Sequence, residues 1–85
     1  MPYRMLLQQL NTARAAGKLS CGVKEVWNTA THKKGQLLVV EDAYTMKDVI
    51  EDIIEKVLKD GGDVEFVAQG TLREFQEIVL IEATR

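Results

Sequence analysis

The side chains with the widest chemical range in this chain are its one cysteine, Cys21, and its one histidine, His32. A thiol becomes a nucleophile when its thiolate is stabilised. Cys21 lies near the start of a helical segment, where the positive end of the dipole and nearby Lys18 and Lys24 would lower its pKa. With no second cysteine and no base beside it, the preferred reading is a small half-buried residue at a strand-to-helix turn. His32 falls near the far end of the same segment, where a partly charged imidazole complements the dipole. Zinc would require several more Cys or His at short spacing, so no metal site is expected.

Phosphate cradles use glycine, and the six here, Gly17, Gly22, Gly35, Gly61, Gly62 and Gly70, form neither G-x-G-x-x-G nor G-x-x-x-x-G-K-[ST]. No cofactor is expected, no catalytic residue is assigned, and the chain does not read as an enzyme. Trp27 lies in an apolar stripe and reads as core. Tyr44 falls in a loop after an apolar strand, where α/β sheets commonly bind ligands. What remains is charge. Residues 1–36 carry six basic residues against Glu25 alone, whereas residues 37–85 carry five basic and twelve acidic ones. Lys18, Lys24, Lys33 and Lys34 fall towards the two ends of the second helical segment; the asymmetry is compatible with a basic face that meets nucleic acid or a ribosomal surface, and solvated charges on a small dipolar domain are the preferred reading.

Eighty-five residues, 46% apolar and 28% charged, with a formal net charge of −2, make one small folded domain, 1–85, with neither the length for a second nor the polarity of a disordered chain. No apolar run is long enough to span a bilayer, and the first residues lack the apolar core of a secretory signal, so a cytoplasmic location without membrane contact is expected.

The elements that must position these residues follow from periodicity. Tyr3, Leu6, Leu7, Leu10 and Ala13 predict an amphipathic first helix closed by Gly17. Val23, Val26, Trp27 and Ala30 predict a second, with Ser20 as its cap. Between them Lys18-Leu19-Ser20 is too short to assign as a strand. Leu37-Leu38-Val39-Val40 reads as a central strand covered on both faces. Thr45 and Asp48 open a third helix, with Val49, Ile50, Ile53, Ile54, Val57 and Leu58 on one face, Asp52–Lys56 and Glu55–Lys59 as i, i+4 pairs on the other, and Gly61-Gly62 at its end. Asp63–Val67 alternates as a strand, Thr71 to Phe75 can hold one helical turn, and Ile78–Ile81 is a final apolar strand. The order predicts a three-layer α/β/α sandwich with a small mixed, mostly parallel sheet and a right-handed strand-helix-strand unit. If the last strand lay at an edge it would pair with a second copy, giving a homo-oligomer; a core role is the preferred reading.

Taken together, Gly17 to Trp27, Gln36 to Glu41 and Lys59 to Val67 resemble the C-terminal domain of the archaeo-eukaryotic peptide-chain release factor and Pelota family, particularly its bacterial branch. There a G-x-x-E-V-W helix leads to an L-L-V-E-E strand, an amphipathic helix, a G-G-x-V-x-F-V strand and a last apolar strand. The resemblance spans about residues 12 to 82. It implies the fold shared with kink-turn RNA-binding ribosomal proteins, which carry G-x-N-E where this chain has Gly22-Val23-Lys24-Glu25. Lys24 can meet a phosphate but cannot reproduce the two-way hydrogen bonding of an asparagine amide. The family's hydrolytic Gly-Gly-Gln loop belongs to another domain, and Gly61-Gly62-Asp63 here stands at a predicted helix end. The resemblance therefore implies a non-catalytic domain excised from a longer protein. Its expected partners are a translational GTPase, the ribosome or other domains of the parent, with structured RNA as the alternative. Its candidate contacts are Lys18, Gly22, Lys24, Glu25, Lys33 and Lys34.

Overall fold

A computed structural model describes residues 3–42 and 47–83. The chain runs α1 (Tyr3–Ala15), β1 (Leu19–Cys21), α2 (Val23–His32), β2 (Gly35–Glu41), α3 (Lys47–Lys59), β3 (Asp63–Val67), a single 3₁₀ turn (Arg73–Phe75) and β4 (Ile78–Glu82). Tyr44 and Thr45, singled out in the sequence, lie outside the described residues. No helix among the described residues is long and apolar enough to cross a membrane.

Layering follows from strand parity, because successive strand residues point to opposite faces. On one face Leu37, Val39, Val79 and Ile81 pack against Leu6, Leu10 and Ala13 of α1 and against Leu72 and Phe75 of the connection between β3 and β4. On the other, Leu38, Val40, Ile78 and Leu80 pack against Val26 and Ala30 of α2 and Ile50, Ile53 and Val57 of α3. The result is the expected three-layer α/β/α sandwich.

The sheet order is β1-β4-β2-β3. β2 and β3 are parallel, with Leu38 opposite Val64 and Val40 opposite Phe66. β4 lies antiparallel to both β1 and β2. The sheet is thus mixed, but two of its three pairings are antiparallel, which corrects the mostly parallel expectation. A continuous apolar run reports that helices cover both faces; it does not report strand direction. The connection 68–77 stays at one end of the sheet, so β4 returns opposite to β3.

Three local expectations are also corrected. Ser20 does not cap α2: it is buried in β1, with its Oγ 2.6 Å from Thr29 Oγ1, so two polar side chains satisfy each other inside the α2 layer. Lys56 pairs with Asp60 rather than Asp52, and no Glu55–Lys59 pair forms. Finally, β4 is internal, so the last strand offers no edge to a second copy; the edges are β1 and β3.

Candidate functional site

Gly22 joins β1 to α2 at φ +85°, a backbone conformation that a side chain would strain. Its N–H donates to the Ile78 carbonyl at 2.9 Å, and its own carbonyl accepts the first bond of α2, from Val26 N–H. Glu25 turns back towards the preceding strand and its Oε1 accepts from Cys21 N–H at 2.8 Å. The carboxylate therefore satisfies a donor at the helix entrance, much as the acid of a capping box does.

Opposite this entrance stands the segment linking β3 to β4. Glu41, the last residue of β2, is only 4% exposed. Its two carboxylate oxygens accept from Gly70 N–H at 2.9 Å and Leu72 N–H at 2.8 Å. Those bonds hold the connection against the end of the sheet. Farther along, Gln76 and Glu77 both take left-handed conformations, at φ 63° and 72°, a costly arrangement for two consecutive residues that are not glycine. The Gln76 side chain occupies the space that Gly22 leaves free: a Cβ on Gly22 would lie 2.7 Å from Gln76 Oε1.

Between the two walls is an open cleft of about 1270 Å³. Lys24, Trp27 and Asn28 line it from α2, and Gln69, Arg73 and Gln76 from the connection. Lys24 and Arg73 put one cation on each wall, but Glu25, Glu41 and Glu77 line the cleft as well, so with the indole and several amides it is suited to hydrogen bonding and stacking against a polar surface of mixed charge. Trp27 is 42% exposed, which corrects its reading as core.

The sequence candidates divide. Gly22, Lys24 and Glu25 line the cleft, whereas Lys18, Lys33 and Lys34 gather at the opposite end of the sheet. There the Lys18 and Lys34 carbonyls accept from the backbone of Glu82 and Ala83, and Lys33 Nζ stands 3.4 Å from Glu82 Oε2. The length of α2, ten residues or roughly 15 Å at 1.5 Å per residue, separates the two groups. Arg73, Gln76, Glu41 and the exposed Trp27 were not found by sequence reasoning. Arg73 and Gln76 are brought to the cleft only by the tertiary path of the connection, and no local pattern marks them.

Cys21 and His32 lie at opposite ends of α2, too far apart to act as a nucleophile and base. Burial pushes the Cys21 thiol above its ordinary value; the Arg14 guanidinium pulls it back in part, and Glu25 adds to the rise. This corrects the lowering expected from Lys18 and Lys24. A raised pKa leaves less thiolate at any given pH. Alkylation by iodoacetamide near pH 8 should therefore run slower than for a free cysteine, and faster labelling would reinstate an activated thiol. His32 Nδ1 lies 2.9 Å from the Asn28 carbonyl, to which it donates. Among the described residues no group of three His, Cys, Asp or Glu is placed to hold a metal ion.

Helices on both faces of a mixed four-stranded sheet, with a cleft at the entrance of the second helix, define an α/β/α sandwich domain. Its fold is that of the C-terminal domain of Pelota and the related release factors. An archaeal Pelota, from a structure described as ribosome-bound archaeal Pelota and ABCE1, matches at a TM-score of 0.79 and 22% identity, over 98% of this chain and 26% of that one. Saccharomyces cerevisiae Dom34, described as a translation termination-like factor that interacts with Hbs1, matches at 0.76 and 19%, over 92% and 26%. The archaeal termination factor aRF1 matches at 0.66 and 21%, over 93% and 24%. The chain thus spans about a quarter of the length of these structures. No protein-family model matches the sequence, and no curated protein sequence does.

Proposed function

We propose that this domain is a non-catalytic interaction module of a cytoplasmic, release-factor-like protein, and that it contacts the ribosome or a translation-associated protein. The observation that carries the reading is the fold match to Pelota and Dom34 over nearly the whole chain. The partner is the ribosome, a translational GTPase or a neighbouring domain of a longer parent. The cleft beside Lys24 and Arg73 and the cluster of Lys18, Lys33 and Lys34 are its two candidate contact regions. The position of Cys21 and His32 at opposite ends of α2 favours binding over chemistry.

Structured RNA is the weaker alternative. Lys24 stands where a base-reading asparagine would be needed, and the Glu25 carboxylate already accepts from the Cys21 backbone N–H. Lysine contributes charge without sequence readout.

Co-sedimentation with ribosomal subunits across a salt series tests the proposal. Wild type is compared with one variant carrying Lys24→Glu and Arg73→Glu, and another carrying Lys18→Glu, Lys33→Glu and Lys34→Glu. Wild-type binding should fall steeply as salt rises, because contact with rRNA phosphate releases counterions. One of the two variants should lose it, which would say which end of α2 is used. Absence of binding by wild type at low salt, or binding indifferent to salt and to both variants, would remove the ribosome as the partner and leave a translational GTPase or a neighbouring domain of the parent.

A further inference from the structure

β3 closes the sheet on one side, with no strand beyond it among the described residues. Its inner half is accounted for. Asp42 N–H donates to the Val67 carbonyl at 2.8 Å, and Glu41 is paired with Val67 in parallel register, so the backbone groups of Asp63, Glu65 and Val67 turn towards β2. In a strand the intervening residues must turn the other way. The N–H and C=O groups of Val64 and Phe66 therefore face outwards along an unpaired edge.

Side chains along this edge are sorted by face. Phe66, opposite Val40, shares the α2/α3 face with Val64, yet it is 57% exposed. Above that face α3 carries Ile54 and, one turn on, Leu58, which is 54% exposed. The other flank of α3, with Val49, Asp52 and Lys56, lines the furrow beside α2. The opposite face of β3 carries the acids Asp63 and Glu65, neither of which forms an ion pair among the described residues. A long exposed apolar edge is ordinarily blunted by bulges, proline or lysine; here its charges are carboxylates on one face only.

We infer that β3 is a docking edge for an extended segment of another protein, one that places apolar side chains over Phe66 and Leu58 and lysine or arginine against Asp63 and Glu65. Backbone hydrogen bonds to Val64 and Phe66 hold such a strand, and the two faces select its sequence. The same acids argue against a second copy of this chain. A two-fold antiparallel pairing must oppose outward-facing residues. Val64 on Val64 sets Asp63 against Glu65, and Val64 on Phe66 sets Glu65 against itself. Like charges directly opposite are destabilising. Only Phe66 on Phe66 avoids the clash, and it leaves just residues 65–67 of the strand in register.

The probe is a blocked seven-residue peptide of alternating lysine and valine, with a glutamate and valine peptide as control, each added to the nitrogen-15-labelled chain. Without peptide, the Val64 and Phe66 amides should exchange fast and those of Glu65 and Val67 slowly. With the lysine peptide at about 1 mM, resonances of β3 should shift and exchange at Val64 and Phe66 should slow by about tenfold or more. The glutamate peptide should leave them unchanged. The paired substitutions Asp63→Lys and Glu65→Lys, both at solvent-accessible positions, should reverse that preference. Four results would overturn the inference: no shift in β3, equal response to both peptides, shifts confined to the α2 cleft, or protection of Val64 and Phe66 that rises with protein concentration alone, which marks a second copy. None of these bears on ribosome sedimentation, so the two readings stand or fall separately.

Discussion

Glu41→Leu should destabilise the domain by roughly 2–4 kcal/mol, measured as a fall in the urea midpoint without a change in slope. Leucine keeps much of the side-chain volume and removes both acceptor oxygens. The Leu72 N–H is then left in a fully buried position with no partner, and a lost hydrogen bond to a charged group costs roughly 1.5–3 kcal/mol. Gly70 is exposed, and water can replace its partner, so its bond adds less. Against a total stability of roughly 4–13 kcal/mol for a chain of 85 residues, the loss is large. Glu41→Gln, which keeps one acceptor and turns an amide donor towards the other N–H, should cost about half as much. Because Glu41 lies under the connection 68–77, exchange at the Leu72 amide should speed up more than exchange in α3. A variant as stable as wild type would mean that this carboxylate does not hold the wall of the cleft.

Glu41 also marks the limit of what periodicity reveals. It reads as the polar end of an apolar strand, and its partners are 29 and 31 residues away, at Gly70 and Leu72. The elements themselves were legible because their signals are local. Val49 to Leu58 repeat at helical spacing, Gly61-Gly62 stops the helix, and Asp63–Val67 alternates. The same locality explains the misplacement of Trp27. The buried arc of α2 is set by Val26, Ala30 and Thr29, and Thr29 is inside because Ser20, nine residues earlier, satisfies its hydroxyl. That pair turns the helix so that Trp27, one step of 100° beyond Val26, faces outwards. Sequence spacing favoured the indole for the core because it weighs apolarity and cannot see a polar partner in another element.

The candidate contacts show a similar division. Gly22, Lys24 and Glu25 were legible as a unit because they adjoin one helix entrance, and they remain together in the cleft. Lys18, Lys33 and Lys34 were grouped with them by charge, but charge along a sequence carries no direction. The lysines on either side of α2 end up at the far end of the sheet, where β4 finishes. Arg73 and Gln76 join the cleft only because the connection folds back across β2 under the hold of Glu41. A surface assembled from distant segments is therefore the least readable part of this chain.

Gly62→Ala should destabilise by roughly 3 kcal/mol or more, while Gly61→Ala next to it should cost about 1 kcal/mol. The two glycines close α3 together. Gly62 N–H donates to the Val57 carbonyl and Gly61 N–H to the Leu58 carbonyl, the paired bonds of a Schellman cap with Gly61 in the left-handed position at φ +92°. Around Gly61 there is open space, so alanine meets only backbone strain. Gly62 has no positive φ to forbid a side chain; what forbids it is crowding. A Cβ there would collide with the Gly35 carbonyl oxygen and lie 2.8 Å from Val57 Cγ1 and 3.1 Å from the Gln36 carbonyl oxygen. Two of these obstacles are backbone atoms at the start of β2, so they cannot swing aside as the end of a flexible side chain would. On its other side β2 is held by its antiparallel pairing with β4, from Leu37–Ile81 to Val40–Ile78, and so it cannot readily retreat. Relief must come from moving β3 outwards, which weakens the parallel pairing from Leu37–Asp63 onwards. Urea denaturation of the two variants decides the point. If Gly62→Ala proved no more costly than Gly61→Ala, β3 would not enter the sheet this close to β2.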